Sequence, residues 1–160
     1  MKKVLSLICI FCLIFALTGC SFSKTPLTAD SFKAYFDDSW TITDARDYAE
    51  IAEDSKLDVL DDIYVSANND TYYEIWFYDF IDVESAKTMY NESLELVKDF
   101  IEGSNIKATS EISGQNYIKF VGNNSSQTWV ITQVEDTVVY VEVANSQADS
   151  VKEFIKSMGY

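Results

Sequence analysis

The sequence predicts an α+β fold: one twisted, mainly antiparallel sheet with about three helices packed on one face. Three observations carry this. Apolar residues recur at helical spacing in three separated segments. Between those segments lie short runs rich in β-branched and aromatic residues, bounded by turn formers. The turns are short, and short turns join antiparallel neighbours.

Thr28 suits the N-cap of a first helix, where a side-chain oxygen can accept from an unpaired backbone N–H. Phe32, Tyr35 and Phe36 follow at i, i+3 and i+4 and make one apolar face. Residues 40–43, "WTIT", read as a short strand. Residues 44–62 read as a loop with a helical turn. Two strands, 63–67 and 71–80, flank a turn at Asn68, Asn69 and Asp70.

Asp82 caps the strongest helix, 83–102. Its stripe is Ala86, Met89, Tyr90, Ser93, Leu94, Val97, Phe100 and Ile101, and Gly103 stops it. Four strands follow at 105–112, 115–121, 127–134 and 137–143. Ser146 with Asp149 resembles a capping box opening a last helix. Val151, Phe154, Ile155 and Met158 are its inner face, and Gly159 ends it.

The N-terminus has a different character. Lys2 and Lys3 precede an apolar run, Val4 to Leu17, interrupted only by Ser6. The run is shorter than the roughly 20 residues that cross a hydrocarbon core, and it fits the apolar region of a secretory signal. Leu17-Thr18-Gly19-Cys20 follows at once. These four residues resemble the lipobox of bacterial lipoproteins. The resemblance implies cleavage between Gly19 and Cys20, and a diacylglyceryl group on the Cys20 thiol. It covers about the first 21 residues. The layout of the remainder is similar to small surface lipoproteins of Gram-positive bacteria, a likeness of helices and hairpins with no catalytic motif to carry over. The expected organisation is therefore a signal peptide at 1–19, a lipidated Cys20 with a short linker at 20–27, and one extracytoplasmic domain at 28–160. The membrane is reached through the lipid alone.

Composition narrows the function. The other two cysteines, Cys9 and Cys12, lie inside the signal, so the mature domain has no thiol pair to oxidise. The chain carries a net charge of −14, and loss of Lys2 and Lys3 deepens it to −16. Nucleic acid is an unsuitable partner, since phosphate binding needs clustered lysine and arginine. There is no histidine, which removes the commonest general base and transition-metal ligand.

Ser-x-x-Lys occurs at Ser21/Lys24 and Ser104/Lys107, but neither lies within a predicted helix, and the companion motifs of penicillin-binding enzymes are absent. Acid pairs are frequent: Asp37/Asp38, Asp61/Asp62, Asp79/Asp82 and Glu135/Asp136. The acids of 54–62 lack the glycine and oxygen-rich spacing of a calcium loop. No cofactor is expected. The reading is a monomeric, non-enzymatic domain that binds an unidentified protein or small molecule. An envelope-assembly component without a small ligand and a carboxylate-based hydrolase are the alternatives.

The most aromatic stretch is "TYYEIWFYDF", 71–80. Strand alternation puts Tyr73, Ile75 and Phe77 on one face, and Tyr72, Glu74, Trp76 and Tyr78 on the other. The first set suits a core. With helices on one side only, the second stays partly open to water, unless the 44–62 segment covers it. Tyr140, on the strand 137–143, carries a similar mixture with Val138 and Glu142. Exposed aromatic patches mark binding surfaces, so Tyr72, Trp76, Tyr78 and Tyr140 are the candidate contact residues.

The lipidation reading makes a direct prediction. In detergent phase partitioning, the wild-type protein enters the detergent phase. Cys20→Ala does not enter it as a processed protein, because no thiol remains to carry the lipid. A processed Cys20→Ala protein in the detergent phase would place the anchor elsewhere.

Overall fold

In a computed structural model of the chain, residues 23–47, 59–68, 73–104 and 108–160 are described. The signal segment, Gly19, Cys20 and Tyr72 lie outside the described residues. The elements are α1 (Ala29–Lys33), β1 (Trp40–Asp44), β2 (Leu60–Asn68), β3 (Glu74–Phe80), α2 (Val83–Glu102), β4 (Ala108–Ser113), β5 (Tyr117–Asn123), β6 (Gln127–Val134), β7 (Thr137–Ala144) and α3 (Ala148–Ser157). The strands form one seven-stranded sheet in the order β1-β2-β3-β7-β6-β5-β4. Every pairing in it is antiparallel.

The topology is two meanders joined by a helix. β1 to β3 step inward from one edge, and α2 then carries the chain to the far edge. β4 to β7 step back until β7 pairs with β3 at the centre. The expected class is therefore present: an antiparallel sheet with three helices.

The layering differs from expectation, because the helices do not share a face. Ala86, Tyr90, Leu94, Val97 and Ile101 of α2 pack on Ile63, Val65, Trp129, Ile131 and Val138. Phe32 of α1 and Val151, Ile155 and Met158 of α3 pack on the opposite face, against Ile75, Phe77, Val130, Val139 and Val141. The physical reason lies in the central strands. Val138 and Val139, like Val130 and Ile131, are adjacent and point to opposite faces, yet all four are buried. A sheet with a bare face would leave one of each pair in water.

Local chemistry accounts for most element ends. The backbone N–H of Ser31 donates to Thr28 Oγ1 at 3.2 Å, and that of Ser85 donates to Asp82 Oδ1 at 2.7 Å, so both expected caps form. Helix α1 is only five residues long. Phe36 lies past its end, in an aromatic cluster with Phe32, Trp40 and Phe154, at centroid distances of 4.8, 4.9 and 5.6 Å. Helix α3 starts differently from the expected capping box. A 3₁₀ turn, Asn145–Gln147, feeds directly into it, and Gln147 makes no side-chain cap. Asp149 instead pairs with Lys152 at 3.6 Å.

The segment read as a linker is docked along part of its length. The backbone N–H of Lys24 donates to Asn116 Oδ1 at 2.9 Å, and Asn116 Nδ2 donates back to the Lys24 carbonyl at 2.8 Å. The backbone N–H of Leu27 donates to the Tyr160 hydroxyl at 3.1 Å, and that hydroxyl also bonds the Thr137 hydroxyl. These contacts join the entry of the domain to its C-terminal residue and to the start of β7.

Helix α2 comes down on β5 at Gly122. A Cβ there would stand 2.5 Å from Ile101 Cδ1 and 2.7 Å from the Phe120 ring. Gly122→Ala is therefore expected to destabilise the domain by about 1–3 kcal/mol through overpacking. Adding Ile101→Val, which removes the clashing methyl, should recover part of the loss in a double-mutant cycle of chemical denaturation. Strict additivity of the two substitutions would show that the helix end does not rest on β5.

Candidate functional site

Helix α2 crosses its face of the sheet obliquely. It begins just beyond the end of β3 and finishes over β5 and β6, where the Phe100 ring stacks on Trp129 with centroids 6.3 Å apart. Among the described residues, no helix lines the corner formed by the start of β3, the end of β7 and the end of β2. A cavity of about 690 Å³ occupies this corner. Its floor is Trp76 and Tyr140, with Glu74, Glu142, Gln127 and Ala67 around them.

Register explains why these residues meet. Trp76 and Tyr140 are direct cross-strand partners, and so are Glu74 and Glu142 one pleat further along. Cross-strand partners hold their Cβ atoms about 5 Å apart. Two rings and two carboxylates are thus presented side by side on one face. Both carboxylates are exposed, whereas both rings are half-buried.

Hydrogen bonds fix the group. Trp76 Nε1 donates to Glu74 Oε2 at 3.1 Å, and Gln127 Nε2 donates to Glu142 Oε1. Burial pushes the Tyr140 hydroxyl up to about 12, and the adjacent Glu142 carboxylate adds to the shift by charge and hydrogen bonding. Tyr140 therefore stays a neutral donor through the physiological range.

Of the sequence-based candidates, Trp76 and Tyr140 come together in the cavity. Tyr78 lies one pleat deeper, stacked between Trp76 (6.2 Å) and Phe80 (6.3 Å), and packs toward α2. Burial raises its hydroxyl pKa strongly. The expected face is only partly open: Trp76, Tyr78 and Tyr140 are half-buried against the cluster that α2 covers, and Trp76 and Tyr140 line the cavity. Val138 is core. Tyr72 and Cys20 lie outside the described residues. Gln127 and Ala67 were not legible as site residues, since they belong to other strands and only register brings them here.

A second electrostatic feature lies at the opposite end of the strands. Asp79 neighbours Asp61, Asp62 and Asp136. No group of three or more His, Cys, Asp or Glu among the described residues is arranged to hold a metal ion. Burial, reinforced by the charges of Asp136, Asp61 and Asp62, lifts the Asp79 carboxyl from 3.8 to about 6. Between these two values the folded state holds a proton that the unfolded chain has released. Stability therefore falls as pH rises from about 4 to about 6, and stays lower above that.

Asp79→Asn should abolish this fall and raise stability at pH 7 by about 1 kcal/mol, once solvent screening of a half-exposed carboxyl is allowed for. The gain should vanish below about pH 4, where Asp79 is protonated in both states. Thermal unfolding at a series of pH values measures this, and a gain independent of pH would reject the charge account.

Comparison with protein-family profiles, with curated proteins and with solved structures returns no match.

Proposed function

We propose that this protein is a lipid-anchored extracytoplasmic domain, held to the membrane through Cys20, that binds a small molecule without catalysing its conversion. The binding site is the Trp76–Tyr140 groove. One observation carries the reading: at one corner of a sheet covered on both faces, two half-buried aromatic rings and two exposed carboxylates line one cavity. Its volume of about 690 Å³ falls in the range of small-molecule sites, about 300–1,000 Å³. Tyr and Trp offer such a ligand a large apolar contact at little entropic cost, because their rings are already held by packing.

The anchor rests on the ordered signal features and on the lipobox resemblance of Leu17-Thr18-Gly19-Cys20. The non-catalytic reading rests on the residue types at the groove. The chain contains no histidine, and its only cysteine outside the apolar signal run is Cys20.

A carboxylate-based hydrolase has one observation in its favour, the paired Glu74 and Glu142. A glycosidase acid, however, needs a site that keeps a carboxyl protonated near neutrality, and this is normally achieved by burial. Both glutamates are exposed, and each already accepts a hydrogen bond from a neighbour on its own face. That arrangement suits fixed negative charge better than proton transfer.

Chemical-shift mapping of the ¹⁵N-labelled domain against a chemically diverse fragment library tests the site. Bound fragments should first move the amides of residues 74–76 and 140–142, and Trp76→Ala should abolish those shifts while the domain stays folded. Fragments that bind only elsewhere, or that are unaffected by Trp76→Ala, would remove the groove from consideration.

A further inference from the structure

The groove holds two negative charges that no lysine or arginine among the described residues pairs with. Glu74 and Glu142 face one another directly across β3 and β7, a placement that is destabilising for like charges. The ion pairs between described residues are Lys33–Asp30, Lys152–Asp149 and Lys156–Glu153, all within helical turns, and none reaches the groove.

The rings repeat the pattern. Elsewhere, aromatic faces already hold cations: Lys33 lies 4.4 Å over the Tyr64 ring, and Lys24 lies 5.0 Å over Tyr117. Among the described residues, no cation occupies Trp76 or Tyr140. One face of Trp76 stacks on Tyr78, and its N–H is engaged by Glu74. Its remaining recognition surface is the other π face, which is electron-rich.

We infer that the groove is specific for an organic ammonium ion, seated on the Trp76–Tyr140 floor with its charge shared between Glu74 and Glu142. This rests on the binding role proposed for the same groove and adds the chemical class of the ligand. The complementarity is particular. An inorganic cation would satisfy the carboxylates but gain little from the rings. A neutral apolar molecule would use the rings and leave the carboxylates repelling one another. An alkylated ammonium uses both, because its charge is spread over apolar methyl groups that can lose water against an aromatic face.

Choline and its neutral isostere 3,3-dimethylbutan-1-ol are the probes, titrated into the ¹⁵N-labelled domain at fixed ionic strength. Choline is expected to produce saturable shifts at residues 74–76 and 140–142. The isostere should bind about tenfold more weakly, the scale of a partly desolvated cation–π contact with carboxylate support. Glu74→Gln and Glu142→Gln should each weaken choline at least several-fold, while Glu153→Gln, an exposed acid on α3, should leave it unchanged. Both glutamates are exposed, so folding should survive their replacement, and thermal unfolding checks this.

Equal binding of choline and the isostere would overturn the cation inference and leave the groove as a binding site. So would indifference to both glutamine substitutions. Choline shifts spread over the whole acidic surface would reduce the effect to counterion attraction and overturn the inference as well. Absence of any saturable shift from either probe at tens of millimolar would overturn the inference, and the fragment screen would then decide whether the groove binds anything.

Discussion

The structure depends on two-sided burial of its three central strands. β3, β7 and β6 are covered by α2 on one face and by α1 and α3 on the other. Strand side chains alternate between faces, so these strands have few positions where a charge is tolerated. Ile75, Phe77, Val130, Ile131, Val138, Val139 and Val141 are all buried. Each contributes about 1.5–3 kcal/mol relative to remaining exposed. The charges that do occur on β3 and β7 lie toward the strand ends: Asp79 at one, Glu74 and Glu142 at the other.

Much of this was legible in the residues. Helix α2 was readable at full length because 20 residues give the 3.6 period many repeats, with Asp82 and Gly103 marking its ends. β6 and β7 were equally clear. The layering was misread because Tyr72, Glu74, Trp76 and Tyr78 resemble a solvent face, and alternation alone cannot say whether a helix covers it. "TVVYVEV" at 137–143 held the corrective signal, since adjacent buried valines imply cover on both sides. The start of α3 escaped for a different reason. A preceding 3₁₀ turn continues the helical path, so no side-chain cap is formed there. In the groove, the aromatic half was visible and the polar half was not. Gln127 and Glu142 lie 15 residues apart, and only the β6–β7 register makes them hydrogen-bond partners.

The groove itself follows from how α2 is set down. Gly122 admits the helix end closely over β5, drawing it toward the β5–β6 side of the sheet. The corner above Trp76 is the area this slant leaves bare. The uncovered corner carries like charges on rigid neighbouring strands, which an occupant of opposite charge would relieve.

The clasp between Lys24 and Asn116 gives the molecule an orientation. Asn116 stands at the Tyr117 end of β5, beside Val134, and the groove opens at the other end of the same strands, beside Gln127. Three residues separate Lys24 from Cys20, and the four steps make a leash of about 14 Å at full stretch. With an acyl chain on Cys20, the clasped end is turned to the bilayer, and the seven steps from Val134 to Gln127 lift the groove about 23 Å further out. Its mouth looks away from the lipid. Anchored in that way, the rings would be kept out of the interfacial layer and the groove would open to the aqueous side. A lipid on Cys20 would thus make the domain a receiver on a short mast, its direction of listening set where Asn116 and Tyr160 grip the entering chain.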